Sequence, residues 1–265
     1  MEVRDGDSSS MAGILGYLRG DAMSNLFAIY DLIKERENTS IRLAVDGSKI
    51  VGYLLRYEGL GHPNVIIRGA GPAVSPLLDE VKGEKMLLFL DSDHLEEAKT
   101  RLNPTAIIPE DLMVTRPGGA KAPARNLAKR LGPDDANSIL ELYPGRTQTG
   151  ADSEGYAKWA ERHVVYGVFQ DGVLVSVAGT WAETKEGWII GGVYTSPSQR
   201  RKGFASMATS AVTDEALKDA RQSTLFVVSS NRQAIRVYEK LGYRKVGERL
   251  WVDLGTGEKP LTTES

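Results

Sequence analysis

The residues most able to do chemistry lie in one stretch, Gly192-Val-Tyr-Thr-Ser-Pro-Ser-Gln-Arg-Arg-Lys-Gly-Phe-Ala205. An apolar strand runs into Pro197, consecutive cations follow at Arg200, Arg201 and Lys202, and Gly203-Phe204-Ala205 opens a helix. This is the arrangement expected for holding a diphosphate. A turn presents N–H groups, the helix start adds the positive end of its dipole, and the cations add formal charge. Gly203 permits a positive φ or close approach of a ligand, and Ala205 keeps the helix start small. The stretch is neither a Gly-x-Gly-x-x-Gly dinucleotide fingerprint nor a Walker lysine loop. Taken alone, Arg-x-x-Gly-x-Ala equally describes a solvated basic turn before an ordinary amphipathic helix. Its weight comes from the segment after the next strand, Ser229-Ser-Asn-Arg-Gln-Ala-Ile-Arg-Val-Tyr-Glu-Lys-Leu-Gly-Tyr243. There Asn231 stands at a helix start, Tyr238 lies two turns along the same face, and Gly242 falls where the helix must stop.

The elements that position these residues follow from periodicity and turn chemistry. In the second half, Leu127–Leu131 reads as a strand, Asp134–Tyr143 as a helix with acidic residues in its first turn, and Ser153–Arg162 as a short helix. Val164–Phe169 and Val173–Trp181 flank Asp171-Gly172, a hairpin signal. Trp188–Thr195 is the next strand, Ala205–Ala220 a helix, Leu225–Ser229 a strand, Arg232–Leu241 a helix, and Tyr243–Leu254 a closing strand. The first half gives the same order more faintly. It has a helix through Leu26, Ile29 and Ile33, a hairpin around Asp46-Gly47, a strand at Val65–Arg68 and a short helix at Val74–Val81. A strand at Met86–Asp91 and a helix at Leu95–Leu102 follow. Two copies of one α/β plan suggest an internal duplication. The composition breaks at Arg116-Pro-Gly-Gly-Ala-Lys-Ala-Pro-Ala124, which suits a linker. The expected domains are therefore 1–118 and 119–265.

Composition narrows the function classes. A chain of 265 residues with 41% hydrophobic and 26% charged residues has ample material for folded cores. It contains no stretch of 18 consecutive apolar residues, which argues against a membrane-spanning helix. The N-terminus, Met-Glu-Val-Arg-Asp-Gly-Asp, is acidic and without an apolar h-region, so a cytoplasmic protein is expected. The absence of cysteine removes disulfides, thiolate metal sites and any acyl-cysteine intermediate. The three histidines, His62, His94 and His163, do not share a helical face at metal-ligand spacing, and no metal is expected. In Asp91-Ser-Asp93-His94, Ser92 or Asp93 is expected to cap the helix that begins near Leu95. The net charge of −2 points to neither nucleic acid nor an acidic membrane as partner. The halves differ in charge. Residues 1–118 carry 13 Lys and Arg against 18 Asp and Glu, and residues 119–265 carry 20 against 17, so the anion-binding half is the second.

Over residues 125–254 the sequence resembles the GCN5-related N-acetyltransferases, the acyl-CoA-dependent acyltransferase superfamily. Arg200-Arg-Lys-Gly203-Phe-Ala205 matches the family's pyrophosphate loop, and Asn231 through Tyr243 matches its later Asn…Tyr-x-x-x-Gly-Tyr segment. The first half resembles it in element order alone. Arg68-Gly-Ala-Gly71 stands in the corresponding place but is followed by Pro72, so this half reads as a degenerate copy. The resemblance implies two tandem domains of α/β (α+β) class, each a mixed, mostly antiparallel sheet flanked by helices. It implies acetyl-CoA as co-substrate, wedged between the fourth and fifth strands of the second domain. Main-chain groups around Val193, Tyr194 and Thr195 would pair with the pantetheine arm, and Arg200, Arg201, Lys202, Gly203, Phe204 and Ala205 would hold the pyrophosphate. Asn231, with Ala234 and Tyr238 on the same helix, would anchor the arm from the other side.

The reaction implied is acetyl transfer from CoA to an amine by direct attack, in line with the lack of cysteine. An ordinary ammonium of pKa near 10.4 must lose a proton first. Glu183 is the leading candidate base, with Glu186 and Glu161 as others. Tyr238 is the candidate acid for the departing thiolate, its phenol being protonated at neutral pH. Trp159, Trp181 and Trp188 are candidates for an acceptor pocket, or else core residues. A non-catalytic acyl-CoA binding or sensing module stands as the alternative. The acceptor amine and the oligomeric state stay open.

Overall fold

Two Asp-Gly turns organise the molecule, a computed structural model describing residues 1–82, 85–123, 127–143 and 152–258. Gln170 pairs with Val173 across Asp171 (φ 51°) and Gly172 (φ 81°), so both central residues adopt the left-handed conformation that matches strand twist. In the other hairpin Asp46 pairs with Lys49, and Gly47 (φ 59°) takes the first central position.

Contacts divide the chain into two units. The first comprises Met1–Glu110 together with Glu248–Glu258, and the second Asp111–Gly247. The first unit runs β1 (Glu2–Asp5), α1 (Met11–Gly20), α2 (Leu26–Lys34), β2 (Thr39–Asp46), β3 (Lys49–Tyr57), β4 (Asn64–Gly69), α3 (Val74–Leu78), β5 (Met86–Asp91), α4 (Leu95–Arg101) and β6 (Ala106–Thr115). The second runs β7 (Lys129–Arg130), α5 (Ala136–Leu142), α6 (Ser153–Arg162), β8 (Val165–Gln170), β9 (Val173–Glu183), β10 (Trp188–Thr195), α7 (Phe204–Asp219), β11 (Ser223–Val228), α8 (Arg232–Lys240) and β12 (Arg244–Leu254). The two lists are the same sequence of elements, as the duplication expects. β6 and β12 each cross a unit boundary.

In the first unit β1 to β4 are joined antiparallel, β4 pairs β5 in parallel, and the 249–254 part of β12 pairs β5 antiparallel. In the second, β7 to β10 are joined antiparallel and β10 pairs β11 in parallel. Each unit is thus a mixed, mostly antiparallel sheet, with helices packed on it. In the second unit α7 and α8 share one core with Ile190, Leu225 and Val227, and α5 and α6 share another with Val165, Val177 and Tyr194.

Several expectations are corrected by packing. β6 has no periodic signal because Pro109 interrupts it and two carboxylates follow. Both carboxylates are buried and paired. Glu110 accepts from Arg249 Nε at 2.7 Å, and Asp111 meets Lys245 at 2.9 Å and the Ser229 hydroxyl at 2.5 Å. The unit boundary falls inside this strand. The Arg116–Pro123 part of the glycine-proline stretch packs within the second unit, and Ala124 lies outside the described residues. Lys121 N donates to Leu241 O at 3.0 Å, and a Cβ on Gly242 (φ 93°) would meet Gly119 O at 2.0 Å. Only Lys129–Arg130 of the expected 127–131 strand is extended into a ladder. Neither Ser92 nor Asp93 caps α4. They form a 3-10 turn, and the N-cap is His94, without a side-chain bond.

Candidate functional site

β10 and β11 begin as a parallel pair and then part. Trp188, Ile189 and Ile190 pair with Ser223, Thr224 and Leu225, and no further pair joins the two strands among the described residues. β10 keeps its other neighbour, with Tyr194 opposite Val177 and Thr195 opposite Ser176 on β9. The edge of Gly191–Thr195 that faces β11 therefore lacks a strand partner. Within the same segment the Tyr143 hydroxyl, at the end of α5, donates to Gly192 O at 2.5 Å.

A register shift between Gly191 and Tyr194 changes which face the strand presents. Trp188 and Ile190 lie in the core under α7 and α8, whereas Tyr194, four positions beyond Ile190, lies in the core under α5 and α6. An even spacing in a regular strand would keep all three on one side. The bulge also turns Gly191 and Gly192 toward α6, where two indoles cover them. A Cβ on Gly191 would meet Trp181 Nε1 at 1.6 Å, and one on Gly192 (φ 60°) would meet Trp159 at 2.8 Å. The indoles stack at 5.3 Å and 25°, and Trp159 Nε1 donates to Thr180 O at 3.0 Å. Tyr143 stacks on Tyr156 at 5.6 Å and lies 5.0 Å from the Tyr194 ring. Of the expected pocket tryptophans, Trp159 and Trp181 come together beside the bulge. Trp188 packs in the other core. The sequence signal for the bulge was the Gly191-Gly192 pair within a strand; Tyr143 had no such signal.

Beyond the opening the chain turns through Pro197–Gln199 and reaches α7. Arg201 (φ 67°) and Gly203 (φ 85°) both occupy the left-handed region, with Gly203 as N-cap. Such alternation turns successive N–H groups into a concave nest. The first N–H groups of α7 have no intrahelical acceptor. Arg201, Lys202 and Gly203 are exposed, and nothing lies within 4 Å of a Cβ at Gly203, so a ligand could approach the backbone there. Arg200 Nε donates to Thr195 O at 3.4 Å, and Lys202 Nζ to Gln199 Oε1 at 2.8 Å. Phe204 is 8% exposed and anchors the start of α7 in the core, which leaves its N–H as its contribution to the rim.

α8 brings in the later segment. Asn231 caps it, with Oδ1 accepting from Ala234 N at 3.0 Å, so that this N–H is already engaged. The Tyr238 ring is buried, edge to face with Tyr243 at 6.1 Å. Its hydroxyl has no hydrogen-bond partner among the described residues. Tyr243, by contrast, is held by Thr213 at 2.7 Å and Ser223 at 2.6 Å. Burial pushes the Tyr238 phenol well above its ordinary value, and Tyr243 adds to the shift. At neutral pH it is a donor.

Glu183 ends β9, opposite Trp188. Its Oε1 accepts from Val164 N at 3.1 Å, from His163 Nδ1 at 3.3 Å and from the Thr180 hydroxyl. Burial works to raise its pKa, but the bonds from His163, Thr180 and Val164 outweigh it, and the group is held below its usual range. Glu183 is therefore an ionised carboxylate at neutral pH. Glu161 is exposed at the end of α6, and Glu186 lies in the turn between β9 and β10.

Comparison with known proteins gives a concordant picture. Residues 165–252 match the model of the FR47-like protein family. No curated protein matches the chain. A solved Drosophila protein superposes with a TM-score of 0.76 at 14% identity, covering 95% of this chain and 98% of that one. A GCN5-related N-acetyltransferase from Sphaerobacter thermophilus gives 0.63 at 12% identity, covering 95% and 94%. A tandem GNAT protein from the clavulanic acid biosynthesis pathway gives 0.60 at 14% identity, covering 97% and 100%. The fold is that of the tandem GCN5-related N-acetyltransferases, and the FR47-like match falls in the half that carries the parted strands and the basic loop.

Proposed function

Given that fold and that FR47-like segment, we propose that the protein is an acyl-CoA-dependent N-acyltransferase that moves an acetyl group from acetyl-CoA to an amine by direct attack. The observation that carries the reading is the parting of β10 from β11 immediately before the Arg200–Ala205 turn. One end of the opening offers unpaired strand edge, and the other offers outward N–H groups and cations. In this reading Val193, Tyr194 and Thr195 pair with the pantetheine arm as an added strand would. Backbone N–H groups from Arg201 to Ala205 meet the pyrophosphate, with Arg200, Arg201 and Lys202 supplying charge. Asn231 and Ala234 flank the arm from α8.

The amine nitrogen attacks the thioester carbonyl carbon, the C–S bond breaks, and the sulfur leaves with the electron pair. Tyr238 donates a hydrogen bond and then a proton to that sulfur. A phenol whose pKa is raised is a weaker acid, so its main contribution is the hydrogen bond to sulfur that strengthens as negative charge develops in the transition state, and any proton it gives up is restored from solvent. The nitrogen loses its protons on the other side. A carboxylate held low, such as Glu183, is a weak base. Its role in this scheme is a fixed negative charge that orients the cationic amine, which passes one proton through water before it attacks and a second after the N–C bond has formed.

The test is acetyl-CoA-dependent thiol release across a panel of amines, for which a chain without cysteine contributes no background. The engagement of Glu183 by three donors favours the second reading, a protein that binds acyl-CoA without turnover. Tight binding by calorimetry with no thiol release from any amine would decide for it.

A further inference from the structure

We propose that Trp181 sets the length of acyl group the second unit accepts and restricts the donor to short acyl-CoA such as acetyl-CoA. The inference rests on the acyl-transfer reading above. With pyrophosphate at the start of α7 and pantetheine along Thr195 toward Gly191, the thioester arrives where β10 and β11 close again, at the Ile190–Leu225 pair. On one side of that vertex lies the sealed core of Ile190, Leu225 and the α7 residues. On the other side lies the bulge, where a Cβ on Gly191 would strike Trp181 and one on Gly192 would strike Trp159. The Trp181 ring edge occupies the space a side chain on Gly191 would take, at 1.6 Å from an ideal Cβ.

An acyl chain continuing beyond the carbonyl at this point meets the Trp181 ring. The ring is not free to swing aside. It stacks on Trp159 at 5.3 Å, and Trp159 is itself bonded through Nε1 to Thr180 O and packed on Gly192. Tyr143 holds the Gly192 carbonyl in place from the same side. Three aromatic residues thus fix a wall at the vertex, and Trp181 is the one whose edge reaches Gly191. A pocket wall of this kind discriminates by roughly 10-fold or more per few methylene groups it excludes.

The experiment measures thiol release and calorimetric affinity with acetyl-, butyryl- and hexanoyl-CoA for the full chain and for Trp181→Ala, Trp181→Leu and Trp181→Phe. The expected result is a preference for acetyl- over hexanoyl-CoA of about 10-fold or more in the unaltered protein. Trp181→Ala and Trp181→Leu should reduce that preference by a similar factor, and Trp181→Phe should largely retain it. The leucine variant keeps apolar volume beside Trp159 and serves if the alanine variant does not fold. Equal use of acetyl- and hexanoyl-CoA by the unaltered chain, or a preference unmoved in folded Trp181 variants, overturns the gate and leaves acyl transfer standing. Absence of both binding and release with every donor overturns the acyl-transfer reading itself, and the gate with it.

Discussion

The two units share one order of elements but treat their central parallel strands differently. In the first, β4 and β5 pair from Asn64–Leu87 through Ile67–Leu90, and the next residues in register are Arg68 and Asp91. These two form an ion pair at 2.8 Å, and Arg68 also donates to Ser24 O at 3.1 Å. In the second, the residues after the last pair are Gly191 and Phe226. A charge pair ties two strands together where a bulged glycine lets them separate. The segments that follow differ as well. α7 begins at a left-handed glycine after three cations and runs Phe204–Asp219, whereas β4 leads through Gly71 and Pro72 to the short α3, Val74–Leu78. Pro72 has no N–H to give an anion. The lesson is that topology supplies the place for a cleft, and a few residues after the last paired position decide whether it opens.

The strongest test of this contrast is the basic turn. Arg201→Glu combined with Lys202→Glu removes two charge-assisted contacts worth about 1.5–3 kcal/mol each, so acetyl-CoA affinity should fall by roughly 10²–10⁴-fold. Calorimetry should find one site per chain beforehand and none afterwards. A site that survives the substitutions would place binding in the first unit. Next in size is Tyr238→Phe, expected to lower turnover by about 10²-fold with acetyl-CoA affinity little changed. Retention of most of the turnover would return Tyr238 to a packing role.

A smaller pair of effects concerns the strands themselves. Gly191→Ala forces a methyl group against Trp181 and should destabilise the protein by about 1–3 kcal/mol in denaturant unfolding. Arg68→Met in the first unit should cost about 1 kcal/mol, because its ion pair is partly screened by solvent. Costs in the reverse order would mean that the closed pair, not the bulge, is the constrained one.

A further difference is in response to pH. Burial, with Glu35 adding, raises the Asp31 carboxyl to about 8, so the folded first unit retains a proton that the unfolded chain releases near 3.8. Its contribution to stability is present below the unfolded value and is lost as pH rises from about 4 to about 8. Glu183 has the opposite sign. Its folded pKa is lowered, so its stabilisation is present above the unfolded value of 4.5 and is lost on acidification through the folded one. Unfolding of Asp31→Asn and Glu183→Gln variants across this range should flatten the alkaline and acid limbs respectively, and the same limb flattening in both would refute the assignment.

Much of this contrast could be read in the residues. The Asp-Gly turns, the left-handed Gly203, the Asn231 cap and the stop at Gly242 are local, and local chemistry specifies them. The tryptophans illustrate what could not be read. Trp181 and Trp188 both looked like neighbours of an acceptor, but Trp188 is buried in the core under α7 and α8. Trp181, at a register irregularity between the Ala182–Ile189 and Thr180–Ile190 pairs, packs against the core under α5 and α6. β6 was hidden because Glu110 and Asp111 make sense in a strand only with Arg249 and Lys245, more than a hundred residues away, beside them. Glu183 stood out only as a candidate base, and its engagement with Val164 N depends on how β8 and β9 lie together.

The placement of residues 248–258 with the first unit has a consequence during synthesis. Arg249–Leu254 completes the ladder on β5, and Arg249 settles between Phe89 and Phe27 with Glu110 as its partner. As the chain emerges from the ribosome, Met86–Asp91 is available long before the strand that covers it. Until then that edge carries unpaired N–H and C=O groups on an apolar strand, the form most prone to pair with another chain. The first unit, though translated first, is the last able to finish folding.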